Sequence, residues 1–229
     1  MVEAMPTRKR TAPRRYQLIV FDWDGTIMDS TGLIADCIQA AARDRELPVP
    51  SLDAAKSIIG LGIRASTLQL FPRLDAAAQT AFALAYRQHF VPRDHEAPLY
   101  AGVRELLAVL DQPERFLAVA TGKPRAGLER AFAHTGLKSM FDFSRCADEG
   151  FSKPHPDMLL KLMEFAAVPP ERTLMIGDTV HDLELAQNAG VSAVAVSYGA
   201  HPAELLATRP SLAVVESVRE LAAWLMQNA

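Results

Sequence analysis

The sequence has few cysteines, little net charge and no long hydrophobic run near its start. Cys37 and Cys146 are the only cysteines in 229 residues, and their wide separation excludes a disulfide scaffold or a cysteine zinc site. The formal net charge of -3 argues against nucleic-acid binding by the body of the protein. The apolar run at residues 18–21 is far shorter than the ~18 residues of a membrane-spanning helix. We therefore expect a cytoplasmic protein with no membrane partner.

Residues 1–15 differ in composition from the rest of the chain. They hold five Lys and Arg residues against Glu3, together with Pro6 and Pro13. This composition predicts a disordered basic tail. The tail is interpreted as a solvated leader, and the alternative is an electrostatic arm for RNA or anionic lipid.

From Tyr16 onward, short apolar strands alternate with amphipathic helical patterns. The predicted strands are Tyr16–Phe21, Arg115–Ala120, Thr173–Ile176, Ser192–Val196 and Leu212–Val215, with a weaker one at Phe141–Arg145. The predicted helices between them are Val103–Leu110, Arg125–Thr135, Pro156–Ala166, Leu183–Ala189 and Val218–Met226. This alternation predicts an α/β fold with a doubly wound, Rossmann-like parallel sheet.

One interval, residues 30–100, contains no convincing strand. It holds helical stretches at Leu33–Arg45 and Ala76–Phe90, and its length is too great for a plain crossover connection. We predict an inserted α-helical cap domain over residues 30–100, and an α/β core domain built from residues 16–29 and 101–229.

Two carboxylates follow the first predicted strand, in the segment Phe21-Asp22-Trp23-Asp24-Gly25-Thr26. In open α/β sheets, ligands bind beyond the carboxyl ends of the strands. Two like charges so close together disfavour each other unless a cation lies between them. A hard divalent ion such as Mg²⁺ meets that need, whereas a turn built from Asp and Gly is the purely structural alternative.

Three further polar segments fall where the same hypothesis requires them. Thr121-Gly122 follows a strand, Lys153 precedes a helix, and Gly177-Asp178 follows another strand with Asp182 four residues on. Turn and capping chemistry explains each segment by itself. Together with the segment after the first strand, however, they make four polar segments in order at one edge of the sheet. This arrangement predicts a site for phosphate and a metal ion.

These four segments resemble the motifs of the haloacid dehalogenase-like superfamily, in particular its phosphoglycolate phosphatase-like members with a helical cap. The matching stretches are FDWDGTIMDS, ATGKP, SKPHPD and IGDTVHD, with Trp23 at a position that is commonly Leu in relatives. The resemblance covers nearly the whole chain from Tyr16 onward. It is specific for the superfamily and says little about the substrate.

The resemblance implies a role for each matching residue. Asp22 is expected to attack phosphorus and form an aspartyl-phosphate, while Asp24 exchanges protons with the leaving group and the water. Mg²⁺ is expected to bind Asp22, the main-chain carbonyl of Asp24, and Asp178. Thr121, Gly122 and Lys153 are expected to bind the phosphoryl group of the substrate. Asp182 is expected to orient Lys153 or a metal-bound water.

The predicted cap must select the substrate, because the four motifs recognise only the phosphoryl group and the metal. Arg64, after the glycines of Ile59-Gly60-Leu61-Gly62-Ile63, is a candidate to bind an anionic group of the substrate, and the equal alternative is a solvated arginine on a helix. We predict a Mg²⁺-dependent phosphatase for a small phosphorylated, phosphoglycolate-like metabolite, acting as a monomer or homodimer. The alternatives are a phosphosugar mutase resembling β-phosphoglucomutase and a binding protein that retains the fold without turnover.

Overall fold

The computed structural model describes residues 15–229 and contains one six-stranded sheet. Apart from Arg15, the predicted tail over residues 1–15 lies outside the described residues. The strands are β1 (Leu18–Phe21), β2 (Phe116–Thr121), β3 (Phe143–Cys146), β4 (Thr173–Gly177), β5 (Ser192–Val196) and β6 (Val214–Val215). They are all parallel and lie in the order β3-β2-β1-β4-β5-β6. The predicted parallel α/β fold is confirmed.

The central strands are buried on both faces, which explains why their sequences are apolar throughout. In β1, Leu18 and Val20 pack into the hydrophobic cluster on one face of the sheet, while Ile19 and Phe21 pack into the cluster on the other. Strand side chains alternate between faces, so this four-residue run supplies both layers. From β1 the strand order runs outward to β2 and β3 on one side and to β4, β5 and β6 on the other. In such sheets, ligands bind at the carboxyl ends of the strands where the order reverses, which here is beside β1.

Ten α-helices are present in the described part of the chain. They are α1 (Thr31–Asp44), α2 (Leu52–Lys56), α3 (Ile63–Leu70), α4 (Ala76–Phe90), α5 (Val103–Leu110), α6 (Arg125–Thr135), α7 (Asp157–Ala166), α8 (Val180–Asn188), α9 (Ala203–Leu206) and α10 (Val218–Asn228). Three predicted helices, α4, α5 and α6, have the predicted bounds. Helix α8 begins three residues before the predicted Leu183, because Thr179 caps it.

Helices α1–α4 form a unit with its own hydrophobic cluster between β1 and β2. Its buried members include Ile38, Ala55, Ile58 and Phe82, and α1 packs against α4. We call residues 30–100 the insertion. The described residues contain no helix long and apolar enough to cross a membrane.

The two segments that connect the insertion to the sheet lie side by side. The amide of Asp29 donates to the Pro98 carbonyl at 2.8 Å, and the amide of Tyr100 donates to the Ile27 carbonyl at 3.1 Å. Met28 and Leu99 form an isolated antiparallel bridge between these bonds. The chain therefore leaves and re-enters the core at one paired crossing.

Candidate active site

Asp22 is the first residue after β1 and is almost entirely buried. Its amide donates to the Ile176 carbonyl of β4 at 2.9 Å, which fixes its backbone to the sheet. Neither carboxylate oxygen of Asp22 accepts a hydrogen bond from a described residue. A buried carboxylate is costly unless a positive charge compensates it, and among the described residues the Lys153 ammonium provides that charge.

Lys153 lies between two acids at the centre of this site. Its ammonium nitrogen is 2.8 Å from Asp22 Oδ1, without the alignment of a hydrogen bond, and donates to Asp182 Oδ1 at 2.6 Å. All three side chains are buried. Burial lowers the pKa of Lys153, but the carboxylates of Asp182 and Asp22 outweigh burial and raise that pKa above its ordinary value. Lys153 is therefore a fixed positive charge beside Asp22.

Asp182 is held by the start of α8 as well as by Lys153. Its Oδ2 accepts from the amide of Thr179 at 3.1 Å and from the Thr179 hydroxyl at 2.7 Å, in a capping box. Both oxygens of Asp182 are thus engaged by protein groups. This supports the predicted orientation of Lys153 by Asp182.

Asp178 follows β4 and is held by groups from two other loops. Its Oδ1 accepts from the Thr26 hydroxyl at 2.9 Å, and its Oδ2 accepts from the amide of Ala200 at 2.7 Å. Gly25, with a φ of +87°, leaves no space beside it: a Cβ there would lie 2.0 Å from Asp178 Oδ2. The Thr26 hydroxyl therefore helps to fix the position of the Asp178 carboxylate.

The carboxylates of Asp22, Asp178 and Asp182 lie close enough to share one ion. Each offers an oxygen within 4.8 Å of the others. Burial raises the pKa of Asp22 well above its usual range, and the Lys153 ammonium offsets only part of this effect. Burial, followed by the charge of Asp182, raises the pKa of Asp178 to about 7. Asp22 and Asp178 therefore resist ionisation without a cation, and carboxylate oxygens suit a hard divalent ion.

Asp24 has a different environment from Asp22, although only Trp23 separates them. Its Oδ1 accepts from the Ser30 hydroxyl at 2.6 Å and from the Lys123 ammonium at 2.8 Å. Trp23 points away into the sheet core, edge-on to Phe132 at 5.2 Å between ring centroids. The alternation of strand faces thus sends the two acids to the site and the indole between them to the core.

Thr121 ends β2 and is fully buried beside the acids. Its hydroxyl oxygen accepts from the amide of Lys123 at 3.1 Å, which leaves the hydroxyl proton free to be donated. The predicted residues Asp22, Asp24, Thr121, Lys153 and Asp178 accordingly all lie at the carboxyl edge of the three central strands.

The insertion is docked on this same edge. The amide of Gly62 donates to Ser152 Oγ at 2.8 Å. The Nε2 atoms of His181 and His201 lie 3.0 and 3.3 Å from the carbonyl oxygen of Ser57. A Cβ on Gly122 would lie 2.6 Å from the carbonyl oxygens of Gly60 and Leu61. The segments that follow four strands, β2 to β5, thus contact one segment of the insertion, residues 57–62.

A cavity of about 360 Å³ lies between the insertion and the core. Asp24, Gly122 and Lys123 form part of its core wall, and isoleucines of the insertion form much of the opposite wall. Small-molecule sites have this form, with apolar walls and a few placed polar groups.

Comparison with known proteins identifies the family. The sequence model described as haloacid dehalogenase-like hydrolase matches residues 19–196. The chain belongs to the haloacid dehalogenase-like hydrolases. This confirms the family resemblance drawn from the four motifs.

Relatives of this hydrolase include named phosphatases. The chain is 33% identical over 212 residues to the probable phosphatase IndB of Dickeya dadantii, covering 89% of this chain and 91% of that protein. It is 28% identical over 214 residues to a phosphoglycolate phosphatase of Pseudomonas syringae pv. syringae, covering 90% and 78%. The crystal structure of a predicted phosphatase from Clostridium acetobutylicum superposes with a TM-score of 0.83 at 26% identity, covering 93% and 99%. These matches confirm the predicted enzyme class, a phosphatase, and leave the substrate open.

Arg64 and Lys123 of this haloacid dehalogenase-like hydrolase show where the sequence left the site open. Arg64 is exposed on α3 and does not line the cavity, although Ile63 and Ser66 of the same helix do. The structure therefore does not bring Arg64 into the site. Lys123, which sequence reasoning did not single out, is buried against Asp24, and its ammonium lies 4.8 Å from the ring centroid of Phe90. The position of Lys123 two residues after Thr121 was the sequence signal that could have placed it near the site.

Proposed function

We propose that this hydrolase is a Mg²⁺-dependent phosphatase that acts on a small phosphorylated metabolite through an aspartyl-phosphate on Asp22. The observation that carries the proposal is the buried Asp22 carboxylate, which accepts no hydrogen bond from a described residue and faces Lys153 at 2.8 Å. Its lone pairs are free to attack phosphorus.

The proposed metal ligands are the carboxylates of Asp22 and Asp178 and the main-chain carbonyl of Asp24. Asp182 is within reach of the same point, but its oxygens already accept from Lys153 and Thr179, so we assign it to the positioning of Lys153. When bound, Mg²⁺ supplies positive charge between two anions that otherwise repel each other.

In the first step of the proposed reaction, an oxygen of Asp22 forms a bond to phosphorus while the ester P–O bond breaks. The electron pair of that bond goes to the alcohol oxygen, which takes a proton from Asp24. Lys153 and the Thr121 hydroxyl stabilise the charge on the phosphoryl oxygens. In the second step, water attacks phosphorus, gives its proton to Asp24, and releases Asp22 and inorganic phosphate.

We infer that the insertion acts as a cap that excludes water and selects the leaving group. The proposed division keeps residues 30–100 as the cap and residues 16–29 and 101–229 as the core. Its support is the separate hydrophobic cluster of the insertion and its contacts over the acids. The paired crossing near residues 29–31 and 98–102 is the proposed hinge.

Substitution of the nucleophile tests this function. Asp22→Asn is expected to lower kcat for p-nitrophenyl phosphate at least about 1000-fold, because the amide cannot form the acyl-phosphate. Asp53→Asn, at an exposed acid on α2, is the control and keeps full activity. Phosphate release by the Asp22→Asn variant at the parent rate contradicts the proposal.

A second assay, with sugar phosphates as substrates, separates hydrolysis from phosphoryl transfer. A phosphosugar mutase converts a sugar phosphate to its isomer with little release of phosphate, and that result would replace the phosphatase assignment. The proposed compartment is the cytoplasm, which two free, buried cysteines support. The state as a monomer or homodimer stays a prediction.

A further inference from the structure

The cavity beside Asp24 indicates which kind of leaving group the substrate has. In the proposed reaction Asp24 protonates the alcohol oxygen, so the group attached to that oxygen extends from Asp24. Asp24 lines the cavity of about 360 Å³, whereas the proposed nucleophile Asp22 does not. The cavity is therefore on the leaving-group side of the phosphoryl site.

The wall that the insertion contributes is mostly apolar, and its polar members besides Ser66 are Tyr86 and Arg87 of α4. It contains five isoleucines together with Leu61, Phe90 and Val91. The one serine in the lining, Ser66, donates its hydroxyl to the Ile58 carbonyl at 3.2 Å. Along the isoleucines of this wall, the hydroxyl and carboxylate groups of a sugar or a short hydroxy acid would have no hydrogen-bond partners.

Most charged groups that reach the cavity already have partners. Lys123 donates to Asp24 at 2.8 Å, Arg130 donates to Asp94 at 2.7 Å, and Asp148 accepts from the Arg125 amide at 2.8 Å. Arg87 is exposed on α4, where water screens its charge. Arg64, the residue expected to bind a carboxylate, does not line the cavity.

We propose that the substrate of this enzyme is the phosphate monoester of an apolar alcohol, whose hydrocarbon portion fills the cavity between Asp24 and the isoleucines of the insertion. The inference rests on the proposed phosphatase function and narrows it. It disfavours phosphoglycolate, whose leaving group is short and carries a carboxylate.

A series of primary alkyl phosphates tests the inference, because their leaving groups have similar chemical reactivity. We would measure kcat/KM from phosphate release with ethyl phosphate, hexyl phosphate, glycerol 1-phosphate and phosphoglycolate in MgCl₂. Each CH₂ buried is expected to raise kcat/KM about threefold to fourfold, so hexyl phosphate should exceed ethyl phosphate by at least about 30-fold. Equal values for the two, or a higher value for phosphoglycolate than for hexyl phosphate, overturn the inference.

Variants on one helix locate the effect in the cavity. Ile63 on α3 lines the cavity, while Leu68 on the same helix is 40% exposed and does not. Ile63→Asn is expected to lower the ratio of kcat/KM for hexyl over ethyl phosphate about tenfold, and Leu68→Asn to keep that ratio. Val91→Asn, at a second, 39% exposed cavity position, repeats the test if Ile63→Asn does not fold. An unchanged ratio in both cavity variants rejects the assignment.

The Asp22→Asn variant separates the two proposals. If it is inactive on all four esters while the parent prefers glycerol 1-phosphate or phosphoglycolate, the phosphatase proposal stands and the leaving-group proposal fails. If the parent releases phosphate from none of the esters, or if Asp22→Asn releases it at the parent rate, the phosphatase proposal itself fails.

Discussion

At the scale of single residues, the position of the Asp178 carboxylate depends on two glycines beside it. Gly25 and Gly199 both face the Asp178 carboxylate, and a Cβ on either would lie within 2.3 Å of Asp178 Oδ2. Glycine is needed at position 25 for a second reason, because its φ is +87°. The position of a proposed metal ligand is therefore set by two residues that carry no side chain.

Gly25→Ala is expected to inactivate the enzyme. The new Cβ must displace Asp178, and a misplacement of about 1 Å costs on the order of 100-fold in rate. The left-handed backbone adds about 1–3 kcal/mol of strain to the folded state. The control is Gly136→Ala, with a φ of +70° and nothing within 4 Å of the added Cβ, which should lose stability but keep kcat. Steady-state kinetics and thermal unfolding of both variants check this; full activity of Gly25→Ala contradicts it.

Magnesium is expected to stabilise the protein more at high pH than at low pH. The pKa of Asp178 is raised to about 7 by burial and by Asp182, above the value of about 3.9 in the unfolded chain. The stability that this carboxyl contributes is thus fully present below about pH 4 and is lost as pH rises through about 7. A cation must displace the proton below that pH, so binding strengthens as pH rises.

The measurement is Tm with MgCl₂ and with EDTA. The increase in Tm on adding MgCl₂ should be larger at about pH 8 than at about pH 5.5. Asp178→Asn, which removes the titrating ligand, should abolish most of the increase at both pH values. An increase that is equal at both pH values, or one that Asp178→Asn retains, speaks against Asp178 as a ligand.

Sequence reasoning found the acids but not Lys123. Asp22, Asp24 and Asp178 stand directly after apolar strands, and parallel strands bring their carboxyl ends to one edge, so pattern alone predicts their meeting. Lysine side chains are mostly exposed, and the burial of Lys123 depends on Asp24, 99 residues away, and on Phe90 of the insertion. No local pattern contains that information. The sequence left two alternatives open for Arg64, because the direction of a helical side chain depends on how the helix docks.

At the scale of the elements, α8 connects helix capping to the chemistry. Asp182 completes the capping box with Thr179 and also accepts from Lys153. The start of this helix consequently fixes the charge that faces Asp22. The predicted start at Leu183 was wrong because His181 and Asp182 do not continue the apolar pattern, although residues 180–182 are helical.

Two variants at the start of α8 are expected to separate its structural and catalytic effects. Thr179→Ala removes the cap and should lower the free energy of unfolding by about 1 kcal/mol. Asp182→Asn weakens the same cap and also removes the negative charge that holds Lys153, so it should in addition lower kcat about tenfold to 100-fold. Urea unfolding and kcat for p-nitrophenyl phosphate give both quantities. Equal kcat values for the two variants would assign Asp182 to capping alone.

The sheet could be predicted from sequence more completely than the helices of the insertion. Strand β5 matches its prediction because a strand buried on both faces must be apolar. Strand β6 is two residues shorter than predicted, with pairing to β5 only at Val214 and Val215. Helix α2 of the insertion and helix α9 of the core were not predicted, since five and four residues are too short to show a helical period.

At the scale of the whole molecule, the enzyme depends on a close fit between the insertion and the core. The backbone of residues 60–61 lies directly over Gly122, with no room for a Cβ. Because backbone atoms make this contact, it cannot be relieved by a change of rotamer. A small change at Gly122 should therefore move the whole insertion.

Gly122→Ala is expected to lower kcat/KM at least about tenfold by holding the insertion away from the site. The control is Gly32→Ala in α1, which does not line the cavity and where nothing lies within 4 Å of the added Cβ. That control should retain activity and gain about 0.5–1 kcal/mol of stability. Kinetics, together with faster proteolysis of the insertion in Gly122→Ala, provide the check; unchanged kcat/KM would show that this close docking is not needed for turnover.

The paired crossing at Met28 and Leu99 also bears on how such enzymes diversify. The two ends of the insertion are held together by the backbone hydrogen bonds of Asp29 and Tyr100, which belong to the crossing and not to the helices beyond it. Replacing those helices with any segment whose termini are similarly spaced would leave every strand of the sheet in register. A lineage can thus exchange its selectivity in one genetic event while inheriting the reactive machinery unaltered.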